Sequence, residues 1–150
     1  MNETEISTDL KFSKRTPTFE EFRELRTNAG WQFPSDPIIR DALSKTLFGI
    51  CVETQEGKTI GMGRVVGDGG LQAFVTDVIV DKEWQGRGVG SRIMLLLMEY
   101  IEENASFATF VGLFSALGRE SFYEKFGFIV RPNETLGSGM MFLKDFHDRN

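Results

Sequence analysis

The stretch "VDKEWQGRGVGSRIMLLLMEYI", residues 80–101, sets Gly86, Gly88 and Gly90 at the place where a long apolar helix begins. Glycine disfavours helix, so something at that spot gains from having no side chains. The flanks constrain the fold further. Before the glycines runs "LQAFVTDVIVD" (71–81), the most strand-like segment of the chain, and after the helix comes "FATFVGLFSA" (107–116), which reads as a buried strand. The helix between them carries Val89, Ile93, Leu96, Leu97 and Tyr100 on one face. Strand, helix and strand in succession make a crossover, so the two strands lie parallel.

The rest of the chain reads differently. "EISTDLKF" (5–12) alternates and reads as a first strand. "TPTFEEFRELRTNAG" (16–30) has Thr18 as a cap, Glu21 three residues on as its capping-box partner, a stripe of Phe19, Phe22 and Leu25, and Gly30 as the stop. "SDPIIRDALSK" (35–45) repeats that grammar, with Asp36 as cap and Pro37 in the first turn. "TLFGICVETQ" (46–55) and "TIGMGRVVG" (59–67), joined by "EGK", form a hairpin, and "GDGG" (67–70) is a second tight turn. "GRESFYEKFG" (118–127) is a short helix, and "FIVRP" (128–132) with "GMMFLKDF" (139–146) make a final strand pair. The expectation is a mixed, mostly antiparallel sheet flanked by helices, in a single domain over residues 1–150.

Composition bounds the function. With 150 residues the chain has enough length for one domain with a real core, and 41% hydrophobic with 26% charged residues is a soluble globular profile. A formal net charge of -5 argues against duplex DNA or RNA as a partner and mildly favours an amine-bearing substrate. The single Cys51, inside the apolar run "LFGICVET", excludes an intrachain disulfide and a cysteine-rich zinc site, and reads as a buried strand cysteine. No cluster of His, Cys and carboxylates suggests a metal. His147, the only histidine, lies in the tail "KDFHDRN" and reads as part of a frayed terminus. The start, "MNETEISTDLKF", has neither the basic nor the apolar region of a signal peptide, and the longest apolar run, "IMLLLM", is too short to span a membrane. The expected compartment is the cytoplasm, with no membrane partner.

The first N–H groups of a helix have no partner within it, point outward, and carry the positive end of the helix dipole. They form a phosphate site where no side chain blocks the approach. Gly86, Gly88 and Gly90 clear such an approach to the helix that starts at Val89. Glycines there can equally serve tight packing alone. Two familiar phosphate loops do not fit. "EGKTI" offers Gly57, Lys58 and Thr59, but Val52 stands where a Walker A loop needs its first glycine. A dinucleotide fingerprint needs a third glycine where Ser91 stands.

Gln85, Gly88 and Gly90 spell Q-x-x-G-x-G directly after "DVIVDKEW", and about thirty residues on comes "SFYEKFGF". This combination resembles the GNAT superfamily of acetyl-CoA-dependent N-acyltransferases: the first segment is similar to its pyrophosphate-binding motif A, the second to its motif B. The resemblance runs from the first strand to Leu143. It implies an α+β GNAT fold of about seven strands and about four helices, with strand 4 bulged and splayed from strand 5. It further implies that residues Gln85, Gly86, Arg87, Gly88, Val89, Gly90 and Ser91 hold the pyrophosphate of acetyl-CoA, the cosubstrate. Val78, Ile79 and Val80 would offer backbone groups to the pantetheine arm, and an N–H near Val80 would polarise the thioester carbonyl. No metal is implied.

The implied reaction is direct attack of a free amine on the thioester. Tyr123 matches the tyrosine that many GNAT enzymes use as general acid, and a phenol with a pKa of about 10 can share a proton with a departing thiolate. Asp77 aligns with an acidic position of small-amine GNAT enzymes and is the candidate anchor of the substrate amine; its alternative is a solvated strand aspartate. The acid that precedes it in those enzymes is Thr76 here, which leaves a glutamate base without a counterpart. The motif-B asparagine that bonds the pantetheine is replaced by Ala116, while Arg119 in the same turn either reaches a CoA phosphate or is a solvated helix-start arginine. Trp31 and Phe33, in the segment "NAGWQFPSD" between the early helices, line the acceptor site or pack in the core. The leading function is acetyl transfer to a primary amine of a small molecule. The alternatives are a protein or peptide N-acetyltransferase and a non-catalytic acetyl-CoA sensor. A homodimer is the assembly the resemblance admits.

Overall fold

The structure is a computed structural model and describes residues 9–144. Two compact units divide the chain between Phe114 and Ser115. The first holds the sheet, whose strand order is β1-β2-β3-β4-β5: Lys11–Lys14, Phe48–Glu53, Thr59–Gly67, Gln72–Val80 and Phe110–Gly112. Neighbours from β1 to β4 are antiparallel, and β4 with β5 is parallel. The parallel pair is the one that the crossover helix requires.

The first helix, α1 (Phe19–Asn28), begins as its sequence dictates. Thr18 accepts the Glu21 amide at 3.2 Å, and the Glu21 carboxylate accepts the Thr18 amide at 2.7 Å. Such a cap is worth about 1 kcal/mol. Phe22 and Leu25 turn inward, and Gly30 follows in the left-handed region. The second helix, α2 (Asp36–Ser44), starts one residue earlier than its acidic cap suggests: Ser35 is the cap and Asp36 already helical, with Pro37 in the first turn, where its missing N–H removes no helical bond. The longest helix, α3, spans Val89–Asn104 and buries Val89, Ile93, Leu96 and Leu97. Tyr100 lies half-buried on the same face, its ring stacked on Phe48 at 4.5 Å.

Side chains alternate across β3, so its neighbours reveal the layers. Met62 joins Ile79, Phe22, Leu25, Ile39 and Leu43 in a core beneath α1 and α2. Gly61 and Gly63 face α3: a Cβ on Gly63 would stand 2.7 Å from Ile93 and 2.9 Å from Leu97. The sheet is thus covered by helices on both faces, which is why Ile50, Cys51 and Val52 are all fully buried in a continuous apolar run. The Arg15 guanidinium closes the β1 edge by gripping Glu21 at 2.8 Å and Glu53 at 2.9 Å.

Several expectations about the strands are revised. The first strand begins at Lys11; residues 5–8 of the expected "EISTDLKF" lie outside the described residues. The strand expected at 107–116 shrinks to Phe110–Gly112, and it is not buried, since Phe107, Phe110 and Phe114 are exposed. Among the described residues the sheet has five strands rather than about seven. In the second unit, "FIVRP" is assigned to no strand and runs into a turn, in which Arg131 donates from Nε to the Gly137 carbonyl and the Asn133 side chain accepts the amides of Thr135 and Leu136. Pro132 supplies no donor at all. The residues of "GMMFLKDF" that are described, Met140 to Leu143 among them, lie exposed with no sheet assignment, so nothing offsets the entropy of extending them. Residues 145 and 146 of that segment, and His147, lie outside the described residues. What the second unit does form is α4 (Glu120–Glu124), which brings the α-helices among the described residues to four, in an α+β fold with a mixed sheet.

Candidate active site

The parallel pairing of β4 with β5 stops after Phe74↔Gly112. Three residues later the β3–β4 register slips: Arg64 faces Thr76, yet Met62 faces Ile79, so Asp77 and Val78 together oppose Gly63. This is a β-bulge, which bends the strand and strengthens its local twist. Beyond it Val78, Ile79 and Val80 run without a pairing partner on β5. The Asp81 amide bonds to the Ile60 carbonyl at 2.8 Å, so by the alternation of an antiparallel ladder Val80, opposite Gly61, turns its N–H and C=O away from β3. The end of β4 therefore has a free backbone edge on the side where β5 pairs lower down.

A short 3-10 turn, Lys82–Trp84, leads from that edge to the glycines. Gly86 and Gly88 both adopt left-handed conformations, with φ of 74° and 80°, and Gly88 caps α3. Around Gly86 no atom lies within 4 Å of where a Cβ would stand. The first bond of α3 runs from Arg92 N–H to Gly88 C=O, which leaves the amides of Val89, Gly90 and Ser91 ahead of the helical ladder. Gln85 clasps the turn to the strand: its side-chain amide donates to the Val80 carbonyl at 2.8 Å. Arg87 brings a cation to the same turn, 5.0 Å above the Trp84 ring. Residues expected from sequence to act together, Val78 to Val80 and Gln85 to Ser91, are thus contiguous in space. A surface cleft of about 370 Å³, lined by Thr16, Pro17, Phe19, Arg40, Leu43 and Ser44, shares no residue with this region.

Asp77 is neither solvated nor free. Its side chain is 2% exposed; one oxygen meets Arg26 Nη1 at 2.8 Å, and the other meets Arg64 Nε and Nη2, both at 2.9 Å. Arg64 is held in turn by the Thr46 hydroxyl at 2.7 Å. Arg26 also donates to the Gln32 carbonyl and lies against the rings of Phe22 and Trp31. Trp31 is exposed apart from that stack, while Phe33 packs against the core.

In the second unit Tyr123 sits on α4, half-buried among Phe122, at 5.0 Å between ring centroids, and Phe128, at 6.5 Å. Burial raises its pKa above the ordinary value, against the opposing pull of the Arg119 cation. A raised pKa keeps the phenol protonated, the form a general acid needs. Arg119 is exposed at the start of α4, and Ala116 offers only its backbone, which accepts the Arg119 amide.

A fold with a bulged, half-released strand followed by a glycine turn and a helix start defines a class, and the comparisons give it its family. A family profile described as an acetyltransferase (GNAT) domain matches residues 47–130. A Staphylococcus aureus protein of unknown function, described as a probable acetyltransferase, is 35% identical with a TM-score of 0.80, over 90% of this chain and 98% of that one. A GNAT-family acetyltransferase from Streptococcus pneumoniae is 25% identical with a TM-score of 0.75, over the same shares. An uncharacterized N-acetyltransferase of Pyropia yezoensis is 27% identical over 83% of this chain and 72% of its own length. The chain belongs to the GNAT acetyltransferase family.

The sequence reading missed the two arginines around Asp77. A signal existed: Arg64 interrupts the apolar run "TIGMGRVVG" at an inward position, and a charge there requires a partner. Arg26, at the last turn of α1, carried no comparable signal. Among the described residues no group of His, Cys, Asp and Glu is placed to hold a metal, and no helix is long and apolar enough to cross a membrane.

Proposed function

We propose that the chain transfers an acetyl group from acetyl-CoA to a primary amine of a small molecule. The observation that carries this reading is the left-handed glycine turn, whose open space and unladdered amides adjoin the free edge of β4. Acetyl-CoA supplies the activated thioester. The amides of Val89, Gly90 and Ser91, with the positive end of the α3 dipole, suit its pyrophosphate. The edge at Val78, Ile79 and Val80 suits the amide groups of its pantetheine arm, as an added strand would pair. Gln85 occupies the Val80 carbonyl but leaves the Val80 N–H to face the thioester oxygen, where it stabilises developing negative charge.

The neutral acceptor amine forms its bond to the acetyl carbon as the carbon–sulfur bond breaks. The surplus proton on nitrogen leaves to water, and Tyr123 gives its phenolic proton to the sulfur, then recovers one from solvent. The net charge of -5 favours a cationic acceptor in the encounter. Both Asp77 oxygens being engaged, the acceptor amine is held by other groups.

The test is thiol release from acetyl-CoA by the full chain, with a panel of amines, amino acids and peptides. Cys51 is fully buried, which keeps it silent to the thiol reagent. Tyr123→Phe keeps the ring and removes one oxygen; kcat is expected to fall on the order of a hundredfold with acetyl-CoA affinity unchanged. Turnover with peptides alone would replace the small-molecule acceptor, and acetyl-CoA binding without turnover on any acceptor would make the chain a sensor.

A further inference from the structure

The bulge that frees β4 has an unusual occupant. Asp77 has a φ of 54°, in the left-handed region that L side chains rarely adopt. Glycine enters that region freely, asparagine and aspartate tolerate it, and β-branched residues avoid it. Three features hold Asp77 there. Both carboxylate oxygens are bonded, one to Arg26 and one to Arg64. Each arginine is fixed by a second acceptor, the Gln32 carbonyl and the Thr46 hydroxyl. The carboxylate is almost wholly withdrawn from water. A side chain so constrained has little freedom to let its backbone relax into a regular strand.

We infer that Asp77 is the positioning residue of the acetyl-CoA edge: pinned by Arg64 and Arg26, it fixes the extra residue in β4 and so keeps Val78, Ile79 and Val80 apart from β5. The inference rests on the acetyl-CoA reading of that edge. Its role is exerted through backbone conformation, and it touches neither cosubstrate nor acceptor. A strand that lost the bulge would be competent only in the fraction of molecules that still form it, and apparent affinity falls by that fraction. The preference of an L-residue against this region corresponds to roughly fivefold to thirtyfold.

The test is a series at one position: Asp77→Gly, Asp77→Asn and Asp77→Val. All three remove the carboxylate and leave the same two arginines without it, so a role in charge balance alone ranks them together. They differ in their tolerance of positive φ. Acetyl-CoA dissociation constants are measured by calorimetry on the full chain, well below each variant's Tm, with the acceptor KM determined alongside. The expected order is a loss in every variant, since each removes the pin: Gly and Asn weaker than wild type by several-fold, and Val weaker than both by roughly a further fivefold or more. Gly and Asn variants that bind like wild type overturn the pinning role. Should the valine variant not fold, Asp77→Ala takes its place, with a loss between those of Asn and Val. Equal losses across the series overturn the assignment, as does a valine variant that binds like wild type. A rise in acceptor KM shared by all three, with acetyl-CoA affinity intact, overturns it in favour of an amine anchor. A wild-type chain that binds no acetyl-CoA overturns the proposed function and this assignment with it; a wild type that binds, with variants out of the expected order, overturns this assignment alone.

Discussion

Two glycines of the turn separate stability from binding, because substituting them moves stability in opposite directions. Gly88 caps α3 with φ 80° and ψ 1°. An alanine there is held in the left-handed region at a cost of about 1–2 kcal/mol. For a chain of this size each kcal/mol moves Tm by about 2–4 °C, so Gly88→Ala should melt about 2–8 °C lower. Gly90 lies inside α3, one residue past its first, and unlike Gly86 and Gly88 does not adopt a positive φ. Alanine at a helical position is favoured over glycine by up to about 1 kcal/mol, so Gly90→Ala should melt at the same temperature or up to about 4 °C higher.

Binding should not follow that sign. A helical Cβ tilts toward the helix N-terminus, so the methyl of Gly90→Ala leans over the amides that precede the ladder. Displacing a phosphate from one such amide forfeits a hydrogen bond to a charged group, about 1.5–3 kcal/mol, or roughly tenfold to a hundredfold in affinity. Calorimetric titration with acetyl-CoA, beside a thermal melt of each variant, gives both quantities. Both variants should bind at least about tenfold more weakly, though one melts lower and the other does not. An affinity that tracks Tm, or a Gly90→Ala variant with wild-type affinity, would refute the assignment of the pyrophosphate to this turn.

Two further outcomes follow from buried chemistry elsewhere in the first unit. Cys51 is fully buried beside the Arg15 carbonyl, and burial pushes its thiol up to about 12; it should stay unreactive toward a disulfide reagent at pH 8 in the folded chain and react at once in denaturant. The Arg15 guanidinium, helped by the Thr59 hydroxyl and the Thr18 amide, holds Glu21 down from 4.5 to about 2. A carboxylate depressed in the folded state stabilises fully above its unfolded pKa and loses that contribution as pH falls through the folded value. Tm should therefore drop between about pH 4.5 and pH 2, and Glu21→Gln should flatten that part of the profile while lowering Tm at neutral pH.

How much of this was legible in the sequence depends on how local the causes are. The capping box at Thr18 and Glu21 and the hairpin around "EGK" rest on neighbours within a few residues, and each formed where its residues dictate; the crossover through α3 gives the expected parallel pair, on a shorter second strand. The glycine turn was legible for the same reason: left-handed dihedrals at Gly86 and Gly88 are what glycine alone permits without strain. The strand propensity of "FIVRP" and "GMMFLKDF" is equally local, but a strand needs a partner's edge as well as apolar side chains, and propensity cannot supply one. Asp77 is the instructive case. Its alignment with an acidic position of small-amine GNAT enzymes suggested an amine anchor, and its polarity suggested solvent. Its actual environment is set by Arg26, 51 residues away in sequence, and Arg64, 13 residues away. Removing one partner from a buried pair of this kind destabilises by about 3–5 kcal/mol, so the network constrains the strand strongly. An acid in a motif can thus mark a functional position for a reason the motif does not state: in the reading proposed above, the carboxylate acts on the shape of the strand, and the strand meets the cosubstrate.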